Sequence, residues 1–104
     1  MNLLVVDDFD VGHVVFLHPI KNIIMNGTFS RLLYATDLFT TNGLYVNHAH
    51  TIAEVEREIL HAYGSPKAQH IYFKHCVPKR AILKISGIWE SPTEYGIAYK
   101  IINR

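Results

Sequence analysis

Cysteine is almost missing from this sequence, with Cys76 as its single copy. One thiol can close no intramolecular disulfide and cannot supply a Cys-rich zinc framework, so the chain folds without covalent staples, as expected of a reducing compartment. Long apolar runs are missing too. No stretch of about 18 apolar residues is available to span a bilayer as a helix. The opening Met1 to Val6, followed by Asp7, Asp8 and Asp10, lacks the basic flank and the length of a signal peptide. An intracellular, soluble protein with no membrane partner is the expectation. Charge is sparse as well, at 18% of residues against 49% hydrophobic. That balance excludes a disordered segment and allows one core, read as a single domain over residues 1–104.

The clearest element is a helix over about residues 52–63. Thr51 with Glu54 makes a capping box, in which each side chain bonds the other's unpaired backbone N–H. Ile52, Val55, Ile59, Leu60 and Tyr63 then recur along one face, while Glu54, Arg57, Glu58 and His61 lie away from it. Gly64 supplies a left-handed cap and Pro66 prevents resumption. The remainder reads as strand and turn: Leu3–Val6, Val14–His18, Phe29–Ala35 after Gly27, His70–Val77, and Ile82–Glu90 joined to Glu94–Ile102 through Ser91-Pro92-Thr93. Asn42-Gly43, between two β-rich runs, predicts a tight hairpin. Within Ile82–Glu90, strict alternation puts Leu83, Ile85, Gly87 and Trp89 on one face, with Trp89 in the core. The fold class that follows is α+β: a curled antiparallel sheet or OB-like β-barrel with one covering helix.

The net charge of +1 conceals a division. Residues 1–66 hold three basic and seven acidic side chains, a net of −4, whereas residues 67–104 hold seven basic and two acidic, a net of +5. Aromatics are interleaved with the bases of the second part. Tyr72 and Lys74 would share a strand face, Trp89 and Tyr95 flank the last turn, and Tyr99 adjoins Lys100. Rings offer stacking platforms and cations neutralise phosphates, so Tyr72, Lys74, Lys79, Arg80, Lys84 and Lys100 are the candidate nucleic-acid-binding residues. Arg31 and Tyr34 are weaker candidates because they fall on opposite faces of their strand.

Seven histidines invite a metal or catalytic reading. His48 and His50 would share a strand face, but His75 and Cys76 are adjacent and diverge on an extended strand, and no paired-Cys or His-Glu-x-x-His spacing exists. His48 or His50 could act as a base oriented by Glu54 or Glu56, yet neither a nucleophile elbow nor a phosphate loop accompanies them. Asp7, Asp8 and Asp10 lack the rest of a calcium loop and read as a solvated turn. No metal site, cofactor or catalytic residue is assigned.

The phrases Lys21 to Tyr34, Phe39 to Tyr45, Lys84 to Glu90 and Tyr95-Gly96-Ile97 together resemble a family of short proteins from nucleocytoplasmic large DNA viruses, over about residues 20–102. That family has no assigned activity, so the resemblance implies a viral setting, in the host cytoplasm or viral factory, and transfers no site residue. The leading expectation is a small non-enzymatic protein that binds single-stranded nucleic acid through a sheet face. The alternative is a viral structural or assembly protein that engages a viral or host protein by a sheet edge. A histidine-dependent hydrolase or nuclease is the third reading.

Overall fold

A computed structural model describes residues 9–23, 26–46, 52–74 and 81–103. A short 3₁₀ turn, Val11–His13, precedes strands β1 (Val14–Phe16), β2 (Ile20–Asn22), β3 (Gly27–Ala35), β4 (Thr40–Thr41) and β5 (Leu44–Val46). Helix α1 (Ile52–Tyr63) follows, then β6 (Ala68–Gln69), β7 (Ala81–Glu90) and β8 (Glu94–Asn103). The strands form one strongly curled, open, mostly antiparallel sheet in the order β1-β3-β7-β8-β6, a half-barrel with the helix against its inner side. The expected α+β curled sheet with one helix is therefore present. None of the helices among the described residues is long and apolar enough to cross a membrane.

The helix forms where its apolar period predicts. Ile52, Val55, Ile59 and Leu60 are buried against Leu32 and Tyr34 of β3, Leu44 and Val46 of β5, Leu83, Ile85 and Ile88 of β7, and Tyr95 and Ile97 of β8. Each such aliphatic side chain contributes about 1.5–3 kcal/mol of burial. Gly64 has φ +74 and its N–H donates to the Leu60 carbonyl at 3.1 Å, closing the last turn as the sequence implies. The Tyr95 hydroxyl donates to that carbonyl as well, at 3.1 Å, and ties the helix end to β8. Thr51 and the Leu3–Val6 run lie outside the described residues.

Three expectations are corrected by the sheet. First, Asn42-Gly43 joins no hairpin: β4 pairs with β3 and β5 pairs with β7, so the bend carries the chain from one strand to the next. Gly43 alone of the two has positive φ, at +100, and a Cβ there would stand 2.8 Å from the Ile85 carbonyl oxygen. Second, β7 carries a bulge between Ile85 and Gly87, and the extra residue reverses the alternation beyond it. Leu83, Ile85 and Ile88 thus face the core, while Trp89 pairs with Gly96 and Phe29 on the other face. Third, residues 70–74 form no strand. The N–H groups of Tyr72 and Phe73 donate at 2.8 and 2.9 Å to the carboxylate of buried Glu56, which replaces a ladder partner.

Candidate nucleic-acid interface

Residues opposite one another across a ladder share a face, and neighbours along a strand alternate. On the side turned away from α1, Lys84 is opposed by Lys100 of β8 and by Tyr45 of β5. Lys84 holds its ammonium 5.5 Å from the centre of the Tyr45 ring, a distance at which cation and π-face attract. Arg31, opposite Gly87, and Phe29, opposite Trp89, lie on this outer face as well. Phe29 and Trp89 are set flat by glycine: a Cβ on Gly87 would meet Phe29 Cζ at 2.8 Å, and one on Gly96 would meet Trp89 Cζ2 at 2.8 Å. The outer face therefore carries three cations, Arg31, Lys84 and Lys100, with three rings, Phe29, Tyr45 and Trp89. Between β3 and β7 it opens into a cleft of about 140 Å³, lined by Arg31, Leu32, Leu33, Asn42, Lys84 and Ser86.

The residues singled out from sequence are divided by this geometry. Lys84 and Lys100 stand together. Tyr72 stands at the open edge of β8, bordering Trp89, its ring centroid 4.8 Å from that of Tyr99 and 4.6 Å from that of His70, whose own ring lies 5.9 Å from that of Trp89. Tyr99 is opposite Ile85 and so projects from the core side, where its ring also meets buried Phe73 at 5.0 Å. Partial burial raises the Tyr72 phenol above its ordinary value, a hydrogen bond with Trp89 offsets part of this, and nearby Tyr99, Glu94 and Glu56 add to the rise. Lys74 is exposed at the end of the irregular segment and shares no strand face with Tyr72. Lys79 and Arg80 lie outside the described residues, as do His48, His50, His75 and Cys76. Among the described residues no group of three or more His, Cys, Asp and Glu side chains could hold a metal.

A second polar cluster locks the helix to the sheet. Glu90 accepts from the Tyr63 hydroxyl at 3.2 Å, the Ser65 hydroxyl at 3.1 Å and the Lys67 ammonium at 3.0 Å, and Tyr63 also meets Ser30 at 3.1 Å. Burial alone would push the Glu90 carboxyl up, but hydrogen bonds from Lys67, Ser65 and Tyr63 and the Lys67 charge outweigh it and hold the group below its ordinary value. Lys67 is thereby engaged inside the fold. Arg31, a weaker candidate from sequence, lies on this face, whereas its fellow candidate Tyr34 is buried in the core. Asn42, Tyr45 and Ser86 carry no sequence signal for binding, because their convergence depends on the departure of β3 from β7.

The fold and this face define an open, curled sheet with a basic, aromatic outer side. No family model matches the chain, and no curated protein and no solved structure matches it.

Proposed function

We propose that the chain is a small non-enzymatic protein that binds single-stranded nucleic acid on the outer face of its sheet. The observation that carries this reading is the meeting of Arg31, Lys84 and Lys100 with the rings of Phe29, Trp89 and Tyr45 on one face. Cations placed along a sheet neutralise phosphates and rings lying against it receive bases, which together suit unpaired strands. An OB-like arrangement fits the same reading, since α1 lies between two groups of strands in a curled sheet. The resemblance to proteins of large DNA viruses adds a viral setting to the proposal.

The test is fluorescence anisotropy with labelled oligonucleotides across a salt series. Lys84→Ala and Lys100→Ala should weaken binding for all sequences alike and each flatten the salt slope by about one charge. Tyr45→Ala should cost about 1–3 kcal/mol with little change in slope if a base stacks there. A loss confined to Tyr72→Ala and Lys74→Ala, with the Lys84, Lys100 and Tyr45 variants unaffected, would move the interface to the β8 edge. Absence of binding by the folded wild type at low salt would refute the reading.

A second reading rests on a separate observation. Val15, Leu17, Ile20 and Ile23 are exposed along the β1–β2 edge, Ile20 by 62% and Ile23 by 87%. An apolar strand edge of this kind supports assembly with another protein by strand addition. Ile20→Lys should then abolish association measured by light scattering.

A further inference from the structure

β3 and β7 run side by side only as far as the Arg31–Gly87 pair. Beyond it β3 turns to β4, through Tyr34 and Ala35, and β7 turns to β5, through Leu83 to Ile85. The three segments enclose a triangular gap in the sheet. Its apex is the Arg31–Gly87 pair, its far side is the Asn42-Gly43 bend, and Leu32 of the core lines it together with Leu33. The bulge at Ser86 and the positive φ of Gly43 are the two local devices that open it. The gap is the cleft of about 140 Å³ on the outer face, several times the roughly 30 Å³ share of one water.

Its donors are those of an anion site. Arg31 offers a guanidinium fork, Lys84 an ammonium and Asn42 an amide, while the Ser86 hydroxyl already donates to the Ala98 carbonyl at 3.2 Å. Among the described residues, neither Arg31 nor Lys84 forms an ion pair with a carboxylate.

Resting on the nucleic-acid reading, we infer that this gap seats a terminal phosphate monoester, the end group of a strand or of a free mononucleotide. A pit walled on three sides admits a group tethered through one bond. An internal phosphodiester has to leave in two directions. A monoester also carries close to two negative charges, matching the two cations at the rim.

The experiment compares internally labelled oligonucleotides of one sequence bearing a 5′-phosphate, a 3′-phosphate or hydroxyls at both ends, with an NMR titration by a nucleoside 5′-monophosphate alongside. Wild type should prefer a phosphorylated end by on the order of tenfold or more. Arg31→Gln and Lys84→Gln should each erase that preference. Lys100→Ala, outside the gap, should lower every affinity and keep the ratio. If either Gln variant fails to fold, Asn42→Asp, from an exposed position, should erase the preference by repulsion. Equal binding of phosphorylated and hydroxyl-ended strands by wild type would overturn the terminal seat and leave the nucleic-acid reading standing. Binding of no oligonucleotide, together with mononucleotide shifts at Arg31, Asn42 and Lys84 that vanish in Lys84→Gln, would sustain the seat for a free nucleotide and refute the nucleic-acid reading. Silence in both assays would refute both.

Discussion

Truncating Glu56 should be among the most damaging single changes in this protein. Its side chain is fully buried, and both carboxylate oxygens are spent on consecutive backbone N–H groups, Tyr72 at 2.8 Å and Phe73 at 2.9 Å. Glu56→Ala removes both acceptors at once. An orphaned buried donor costs about 1–3 kcal/mol; the Phe73 N–H is buried and bears that cost, while the part-buried Tyr72 N–H bears less, so the pair should cost roughly 2–4 kcal/mol. That is a large share of the roughly 5–15 kcal/mol that holds an ordinary domain folded. Glu56→Gln keeps one acceptor oxygen but turns an amide donor toward the second N–H, and should fall between wild type and Ala. Urea denaturation monitored by Trp89 fluorescence gives the global loss. Amide hydrogen exchange gives the local one: Tyr72 and Phe73 should lose protection first, because their only replacement partner is water. A Glu56→Ala protein within about 0.5 kcal/mol of wild type, with both amides still protected, would refute the clamp.

Three further outcomes follow from named contacts. Because the Glu90 carboxyl titrates below its ordinary value of 4.5, its contribution is present above that pH and lost as pH falls through the lower folded value; Glu90→Gln should destabilise at pH 7 and lessen the loss of stability on acidification, read by urea melts from pH 7 to 3. Gly87→Ala should cost about 1–3 kcal/mol or more, since the new methyl would lie 2.2 Å from the Ser30 carbonyl oxygen, in the backbone of the paired strand; a neutral result in a thermal melt would contradict the register of β3 on β7. Leu60→Ala should cost about 2–5 kcal/mol by leaving a cavity beneath α1, measured in the same melts.

The helix was legible because its information is local. Five apolar residues at helical spacing, with a glycine cap, are sufficient to specify it, and the same period marks Glu56, which lies four residues from Ile52 and four before Leu60 on the buried side. The inner and outer sides of β7 were not legible by simple alternation, because one inserted residue at Ser86 changes the phase. A trace of it exists in the sequence: Ile88 breaks the alternation set by Leu83 and Ile85. Asn42-Gly43 misled for a different reason. A type I′ turn needs its two arms to pair with each other, and here β3 and β7 each capture one arm first.

The candidate site shows why charge summed along a chain does not locate a surface. Lys67 belongs to the basic C-terminal third, yet its ammonium is held at 3.0 Å by Glu90 and at 2.8 Å by the Ser91 carbonyl, where it serves the helix end. Arg31 belongs to the acidic part, yet strand pairing carries it to the same face as Lys84 and Lys100. What assigns a cation to a face is its parity on a strand and the register of that strand with its neighbours, and both are non-local on β7 because of the bulge. Were the extra residue removed, Leu83 and Ile85 would move to the outer face or Ile88 and Glu90 would leave the inner one. The bulge therefore couples the two halves of the molecule's chemistry: it lets Ile88 and Glu90 serve the core and the helix clamp while Lys84 stays outside, across from Lys100, at the mouth of the gap it helps to open.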